Sequence, residues 1–178
     1  MNDFFFKWQN RELKVEILED IPEINLLTKK IGPHKKGDEI KVSYWIAKIL
    51  YQEKVVKFLD SVEYEVEELL KIEWSEQAKS NIQEIDEEFY VKMKETLSNL
   101  LNDFRNKDNI SINTQILQKK EKMQNLFKDI FTRRLYKILR IATKSSNQSQ
   151  FINDFTGEEM VLYNQLRKII NKWMYEFV

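Results

Sequence analysis

The chain has 178 residues, and its 29 Lys and Arg balance its 29 Asp and Glu, so its formal net charge is zero. A hydrophobic fraction of 42% is enough to build one large domain or two small ones. The absence of cysteine excludes disulfides and thiolate metal sites, and it fits a reducing compartment.

The first part of the chain, residues 1–59, is predicted to be a small β-rich domain. Leu13–Ile17 alternates apolar and polar residues, which is the period of a half-buried strand. Ile40–Val42 alternates in the same way after a turn at Lys36–Asp38, and Val55–Leu59 is rich in β-forming residues.

One short helix is predicted inside this domain, over Ser43–Tyr51, because the run is almost continuously apolar. Ser43 is a suitable N-cap for it. A helix that is apolar on all sides must be covered, so we expect Trp45, Ile46 and Ile49 to form the core of the small domain.

The second part, residues 60–178, is predicted to be a bundle of about four helices, which makes the chain an α+β protein that is mostly α. A first helix has an acidic outer face, a second spans roughly 86–105, and a third is long and runs from about Ile116 to Ala142. The last helix starts at a capping box of Thr156 and Glu159. Polar loops are expected at 106–109 and 145–150.

The zero net charge hides two blocks of opposite sign. Residues 60–88 have a balance of −9, whereas residues 89–150 have a balance of +8. Within the basic block, a helical face carries Arg133, Arg134, Lys137 and Arg140. Three uses of this face stay open: pairing within the chain or solvation, contact with a protein partner, and binding of DNA phosphates.

Residues that could support catalysis are scarce. The only histidine, His34, lies in a predicted surface turn, and the three glycines are too few for a phosphate-binding loop. Glu84, Glu87 and Glu88 could hold Mg²⁺, but acidic residues are also favoured at a helix N-terminus. We therefore predict no enzymatic activity, no cofactor and no metal.

The predicted helices offer more apolar surface than four helices can hide among themselves. The third and last helices carry apolar stripes that are wider than one core-facing side requires. Obligate interfaces are large and rich in aromatic residues. The candidates for a partner interface are Phe127, Phe131, Leu135, Ile169, Ile170, Trp173 and Phe177.

Several short segments resemble GINS subunits of the type whose β domain comes first. The most specific is Ile31-Gly32-Pro33, followed by a basic turn, a strand and Trp45-Ile46-Ala47. Arg134-Leu135-Tyr136-Lys137-Ile138 is similar to the family's Arg-x-x-Lys-Ile, and Phe155–Glu159 is similar to the start of its last helix. Ser43-Tyr44-Trp45 departs from the Pro-Leu-Trp of eukaryotic relatives, so the chain looks more like the archaeal version.

The resemblance implies a non-catalytic scaffold in DNA replication. It implies a 2:2 tetramer with a paralogous GINS subunit that carries the same two domains in opposite order. It further implies contacts with the MCM helicase, a Cdc45-like or RecJ-like protein and primase, and only weak or absent direct DNA binding. The alternative is a free-standing helical DNA-binding regulator that uses the basic face at residues 133–144.

The expected location is the cytoplasm, in association with the nucleoid, or the nucleus if the source is eukaryotic. No apolar stretch approaches the length of a membrane span. The first residues, which include Asp3 before Lys7, lack the basic start and long apolar run of a signal peptide.

Overall fold

The computed structural model describes residues 2–27, 30–105, 110–144 and 152–177. The chain divides into two compact units, Met1–Val62 and Glu63–Val178. The predicted boundary after residue 59 lies just before this division. The loops predicted at 106–109 and 145–150 fall outside the described residues.

The first unit is built on two small antiparallel sheets. The first sheet has the strand order β4-β1-β5, and the second pairs β2 with β3. Two helices, α1 and α2, complete the unit. In chain order the elements are α1 Asn2–Asn10, β1 Glu12–Ile17, β2 Ile24–Asn25, β3 Lys30–Ile31, β4 Glu39–Ser43, α2 Tyr44–Gln52 and β5 Val56–Phe58.

The central strand β1 follows the predicted alternation. Leu13, Val15 and Ile17 are buried, and the residues between them are more exposed. In the register of the sheet, Leu13 lies opposite Val42 of β4, and Val15 lies opposite Phe58 of β5. Because a one-residue slip would turn all three apolar side chains to the other face, burial of this face fixes the register.

The prediction that Trp45 and Ile49 belong to the core of the small domain is wrong. Ile46 is buried as expected, but Trp45 is 38% exposed and Ile49 is 52% exposed. The sheet covers only one side of α2, and that side carries Ile46, Ala47 and Leu50. Trp45 and Ile49 are separated by one helical turn, so they share the opposite side.

Ser43 occupies the N-cap position of α2 with an extended backbone, but its side chain makes no capping hydrogen bond. The predicted cap is therefore right in position and wrong in mechanism.

The first helix, α1, was not predicted from the sequence. Its Trp8 is buried, packs against Tyr44 with a ring-centroid distance of 5.4 Å, and lies under the Arg11 guanidinium at 3.6 Å.

The second unit is helical, as predicted. It contains α3 Val66–Ala78, α4 Phe89–Arg105, α5 Ile110–Ala142 and α6 Gly157–Phe177. No strand follows Phe58 in the part of the chain that the structure describes. None of the helices described there is long and apolar enough to cross a membrane.

Among the residues that the structure describes, two apolar clusters hold the second unit together. The larger joins α3, α4 and α5, and the smaller lies where α6 begins to pack on the last turns of α5. The larger cluster is centred on Leu69, Phe89, Met93, Met123 and Ile130, and the smaller on Ile82, Ile138 and Ile141.

The predicted capping box of α6 is confirmed. The Thr156 amide donates to the Glu159 carboxylate at 3.0 Å, and the Glu159 amide donates to the Thr156 hydroxyl at 3.4 Å. Two of the amides that a helix start leaves without helical partners are therefore satisfied.

Gly32 is expected to tolerate no side chain. Its φ is +84°, and a Cβ added there would lie 2.7 Å from the backbone carbonyl oxygen of Pro22. Gly37 also has a positive φ, +92°, but an added Cβ would meet nothing within 4 Å. Gly32→Ala should lower the free energy of unfolding more than Gly37→Ala, which should cost about 1 kcal/mol from backbone strain alone.

Urea unfolding of the full chain measures this difference; Trp74 and Trp173 are replaced by Phe in all variants, so that the fluorescence reports only Trp8 and Trp45 in the first unit. Equal losses for the two variants would show that the close approach of Gly32 to Pro22 is unimportant.

Candidate partner-binding surfaces

A buried arginine joins the helices of the second unit. The side chain of Arg134, on α5, is 0% exposed, and its guanidinium donates to carboxylates on two other helices. One is Glu76 of α3. The other is Glu159 of α6, which accepts from Nε at 2.6 Å and from Nη2 at 2.7 Å. The guanidinium also donates to the carbonyl oxygens of Gln83 at 2.7 Å and Asp154 at 3.2 Å.

The two carboxylates have further donors. Glu159 accepts from the Tyr90 hydroxyl of α4 at 2.5 Å as well as from the Thr156 amide. Glu76 accepts from the Lys137 ammonium and, at 3.1 Å, from the Gln83 amide. Buried charges are tolerated when they are paired and hydrogen-bonded in this way. The network therefore links α3, α4, α5 and α6 at one place.

The electrostatics of the network keep Arg134 and Tyr90 each in one protonation state. Burial alone would lower the pKa of Arg134, but the hydrogen bonds that its guanidinium donates to Glu159 and the charges of Glu159 and Glu76 outweigh burial and raise the pKa. Burial, together with the Glu159 carboxylate, raises the pKa of the Tyr90 hydroxyl well above its ordinary value. Arg134 therefore stays charged and Tyr90 stays neutral over the physiological range.

The side chains of the predicted basic face contact other groups of the chain, which is one of the three uses that the sequence leaves open. Arg134 is buried, whereas Arg140 is exposed. Lys137 donates to Glu76 and to the Asn81 carbonyl at 2.9 Å. Arg133 lies 3.5 Å from Glu73, and Arg140 donates to the Ser80 carbonyl. All four basic side chains thus have partners within the chain, among them acidic residues of the block at 60–88.

Helix α6 runs parallel to α5. Glu159, in its first turn, accepts hydrogen bonds from Arg134, and its next turns pack on Ile138 and Ile141. Further along, Arg167 donates to the carbonyls of Ala142 at 3.2 Å and Lys144 at 2.8 Å. Since α5 ends at Ala142, the rest of α6 continues past that end. We call this segment, Lys168–Phe177, the overhang; at 1.5 Å per residue it is about 15 Å long.

The overhang carries an uncovered apolar stripe. Ile169 is 66% exposed, Trp173 is 61% exposed and Phe177 is 70% exposed, while Ile170 is half-buried. Together with Met174 they continue the face by which Leu162 and Leu166 pack on α5, at three- and four-residue spacing. We call these five residues, Ile169, Ile170, Trp173, Met174 and Phe177, the overhang seam.

A second candidate surface lies on α5. Phe127 and Leu135 are half-buried, and Phe131 between them is 42% exposed. Phe131 contacts the rings of Tyr90 and Phe127, with centroid distances of 6.2 and 6.3 Å. We call Phe127, Phe131 and Leu135 the α5 flank. All seven predicted interface residues therefore retain exposed area, and their use in an interface stays a prediction.

Residues considered for chemistry are not brought together. Backbone groups of His34 and Ile21 bond to each other, and Glu84 and Glu87 are exposed. Among the described residues, no group of three or more Asp, Glu or His could hold a metal ion.

Sequence reasoning missed the ion network. The sequence predicts Glu159 only as a cap, and Glu76 is only one of the acidic residues of the block at 60–88. The available signal was the presence of two blocks of opposite charge, which allowed contact between residues 60–88 and the basic face as one possibility but could not say which carboxylate is buried.

The second unit is thus a helical bundle fixed by a buried ion network, with apolar surface left open on two sides. Residues 63–178, which cover this unit, match the family described as the GINS complex protein helical bundle domain (Sld5). The match spans more than half of the chain, so the protein belongs to the GINS family of DNA replication complex subunits. No curated protein matches the chain.

The ion network predicts a large difference between neighbouring arginines. Arg134→Ala leaves Glu76 and Glu159 buried without their main partner and should lower the free energy of unfolding by about 3–5 kcal/mol. Arg133→Ala removes a 3.5 Å pair whose arginine is 40% exposed, and it should cost less than about 1 kcal/mol. Chemical denaturation of both variants at neutral pH checks this contrast, and a mild effect of Arg134→Ala would contradict the role given to the network.

Alkaline pH should destabilise the second unit through two tyrosines. Burial and the nearby carboxylates raise the pKa of Tyr90, and burial with Asp86 and Glu68 raises that of Tyr64, from an ordinary value of 10.0. Since the folded state favours the neutral phenols, their contribution is complete below pH 10 and is lost as the pH rises above it. The free energy of unfolding should therefore fall with pH in that range.

The decline should become shallower in the variant with Tyr64→Phe and Tyr90→Phe, whatever its stability at neutral pH. Urea titrations between pH 8 and pH 11 measure the slope. Phe substitution of the exposed Tyr136 is the matched control and should keep the wild-type slope.

Proposed function

We propose that this GINS subunit is a non-catalytic scaffold whose second unit binds a paralogous subunit with the opposite domain order. In this proposal the assembly bridges the MCM helicase and a Cdc45-like or RecJ-like protein, and it extends to primase. The family assignment supports membership of a GINS replication complex. The resemblance in sequence supports the arrangement of partners.

The observation that carries the proposal is the exposed apolar area on a bundle whose buried arginine, Arg134, is already paired within the chain. The large side chains exposed on α5 and α6 include Phe131, Ile169, Trp173 and Phe177. Clusters of exposed aromatic and aliphatic residues on this scale mark protein-binding surfaces. Buried aromatic residues near the centre of an interface supply most of its binding energy.

A scaffold role also fits the chemistry of the side chains. The strongest charge cluster, around Arg134, is buried and engaged in holding helices together. Its guanidinium has no path to a substrate, since Nε, Nη1 and Nη2 all donate to protein oxygens. The energy that this unit can supply is therefore binding energy between proteins.

The alternative of a DNA-binding regulator is weakened because the basic side chains it would use are buried or already contact other groups of the chain. Phosphate binding requires cations that can reach the DNA backbone. Arg134 is buried, and Arg133, Lys137 and Arg140 already have partners within the chain. Binding DNA with this face would first require those ion pairs and the hydrogen bond of Arg140 to be exchanged.

The α5 flank tests the proposal. In a co-expressed complex with the opposite-order paralogue, Phe131→Ala should weaken association by about 2–4 kcal/mol if this residue anchors the interface. That corresponds to roughly 30-fold to 1000-fold in Kd. Gln118→Ala, which removes an exposed polar side chain on the same helix, is the matched control and should change little.

Isothermal titration or surface-immobilised binding measures the two constants. Retention of full affinity by Phe131→Ala would contradict the proposed use of the α5 flank. Salt-sensitive binding of duplex DNA by the isolated chain, lost on Arg133→Glu and Arg140→Glu, would instead favour the DNA-binding regulator.

A further inference from the structure

We infer that the open edge of the first sheet binds an extended segment of another protein, which adds as a fourth strand beside β4. The segment carries an acidic residue, an apolar residue and a basic residue in that order. The proposed function places its contact on the second unit, so this surface on the first unit is additional to it.

The backbone of β4 is open on one side. β4 lies at the edge of the sheet, with β1 on one side and no strand on the other in the part of the chain that the structure describes. At the end of this ladder, the Ile17 amide donates to the Asp38 carbonyl at 2.9 Å. Because antiparallel strands direct successive backbone groups to alternate sides, the amides and carbonyls of Glu39 and Lys41 face away from β1. No described residue bonds to them there, so an added strand can pair with them.

The side chains of the same two residues lack an opposite charge. Lys41 lies directly across from Lys14, and Glu39 lies across from Glu16. Glu16 is already paired with Lys57 of β5 at 2.7 Å. Glu39 and Lys41 are exposed, and neither forms an ion pair within the described ranges. Since like charges directly opposite each other destabilise a sheet, β4 presents two charges that a strand on its open side can match.

These charges select the sequence of the added strand. Every described strand pair of the first unit is antiparallel. In such a pairing, the residue opposite Lys41 comes two positions before the residue opposite Glu39, so the first should be acidic and the second basic. Ile40 between them is half-buried and packs against the core of the unit, so the residue opposite it should be apolar.

Two other occupants of this edge are disfavoured. The edge carries one acidic and one basic side chain, Glu39 and Lys41, so it has no net attraction for nucleic acid phosphates. A second copy would contact it over five residues, or about 17 Å, which is small for an interface that must hold a dimer by itself. A segment tethered in an assembly that is held elsewhere needs only modest affinity, because tethering raises its effective concentration.

Two peptides of equal composition test the order of charges. The first is acetylated and amidated Ser-Thr-Val-Glu-Val-Lys-Thr-Ser, and the second has its Glu and Lys exchanged. Titrated into the full chain, the first peptide should shift the amide NMR signals of Glu39–Ser43. Fluorescence anisotropy should show that it binds about tenfold more tightly than the second, because two cross-strand charge pairs change from attractive to repulsive.

The matched variant of the protein exchanges the same two charges, Glu39→Lys together with Lys41→Glu, and keeps the net charge. It should prefer the second peptide by a similar factor. The exchange places unlike charges opposite Lys14 and Glu16, so urea unfolding should show that the variant is at least as stable as the wild-type chain. A reversed preference in a folded variant therefore reports the charges of the edge and not a loss of structure.

Equal affinity for the two peptides, or no binding of either at millimolar concentration, would overturn the inference. Displacement of the first peptide by duplex DNA would assign the edge to nucleic acid. A wild-type dimer that light scattering detects and that Lys41→Glu alone abolishes would assign the edge to a second copy, and either result would overturn the inference as well. The peptide titration uses the chain alone, so its outcome is independent of whether the α5 flank binds the paralogue.

Discussion

The second unit depends on the need to pair one buried guanidinium. Arg134 has no exposed surface, and a charge removed from water in this way costs several kcal/mol unless carboxylates and carbonyls replace the water. Those partners come from the end of α3, the segment before α4 and the start of α6. Satisfying one side chain therefore determines where three stretches of backbone must meet on α5. An apolar residue at this position would fill space but would not impose that geometry.

The position of α6 follows from the same constraint. Glu159 serves as the N3 residue of the capping box and also as the carboxylate that receives Arg134. The start of the helix is consequently fixed on the side of α5, and its direction is set by the packing of Leu162 and Leu166 beyond it. Because α5 ends at Ala142 while α6 continues to Phe177, the fixed start produces a free end. The exposure of Trp173 is thus a consequence of where Glu159 is bound.

Local patterns in the sequence predicted the elements well because those patterns arise from short-range physics. Alternation along Leu13–Ile17 identified β1, and the Thr156–Glu159 spacing identified the start of α6. The errors concern which side of an element is covered, which depends on residues distant in the chain. Trp45 and Ile49 look like core residues in an apolar run, but the sheet reaches only the other side of α2. The sequence leaves the use of Arg134 open and does not distinguish it from its basic neighbours, because its partners are 58 and 25 residues away.

A scaffold subunit has to combine a rigid centre with surfaces that stay unsatisfied until partners arrive. Here the two needs are met by different chemistry. The centre is held by buried charges, and a packing of the helices that left one of these charges unpaired would lose several kcal/mol of stability. Arg134 with its two carboxylates therefore specifies one packing of the helices. The open surfaces use apolar groups, which tolerate exposure singly but gain free energy whenever a complementary face covers them. The overhang seam lies beyond Arg167, the last side chain that bonds to the end of α5, so its occupation leaves the ion network intact. Assembly through such a surface adds stability to a bundle that is already defined, and it requires no rearrangement of the buried charges.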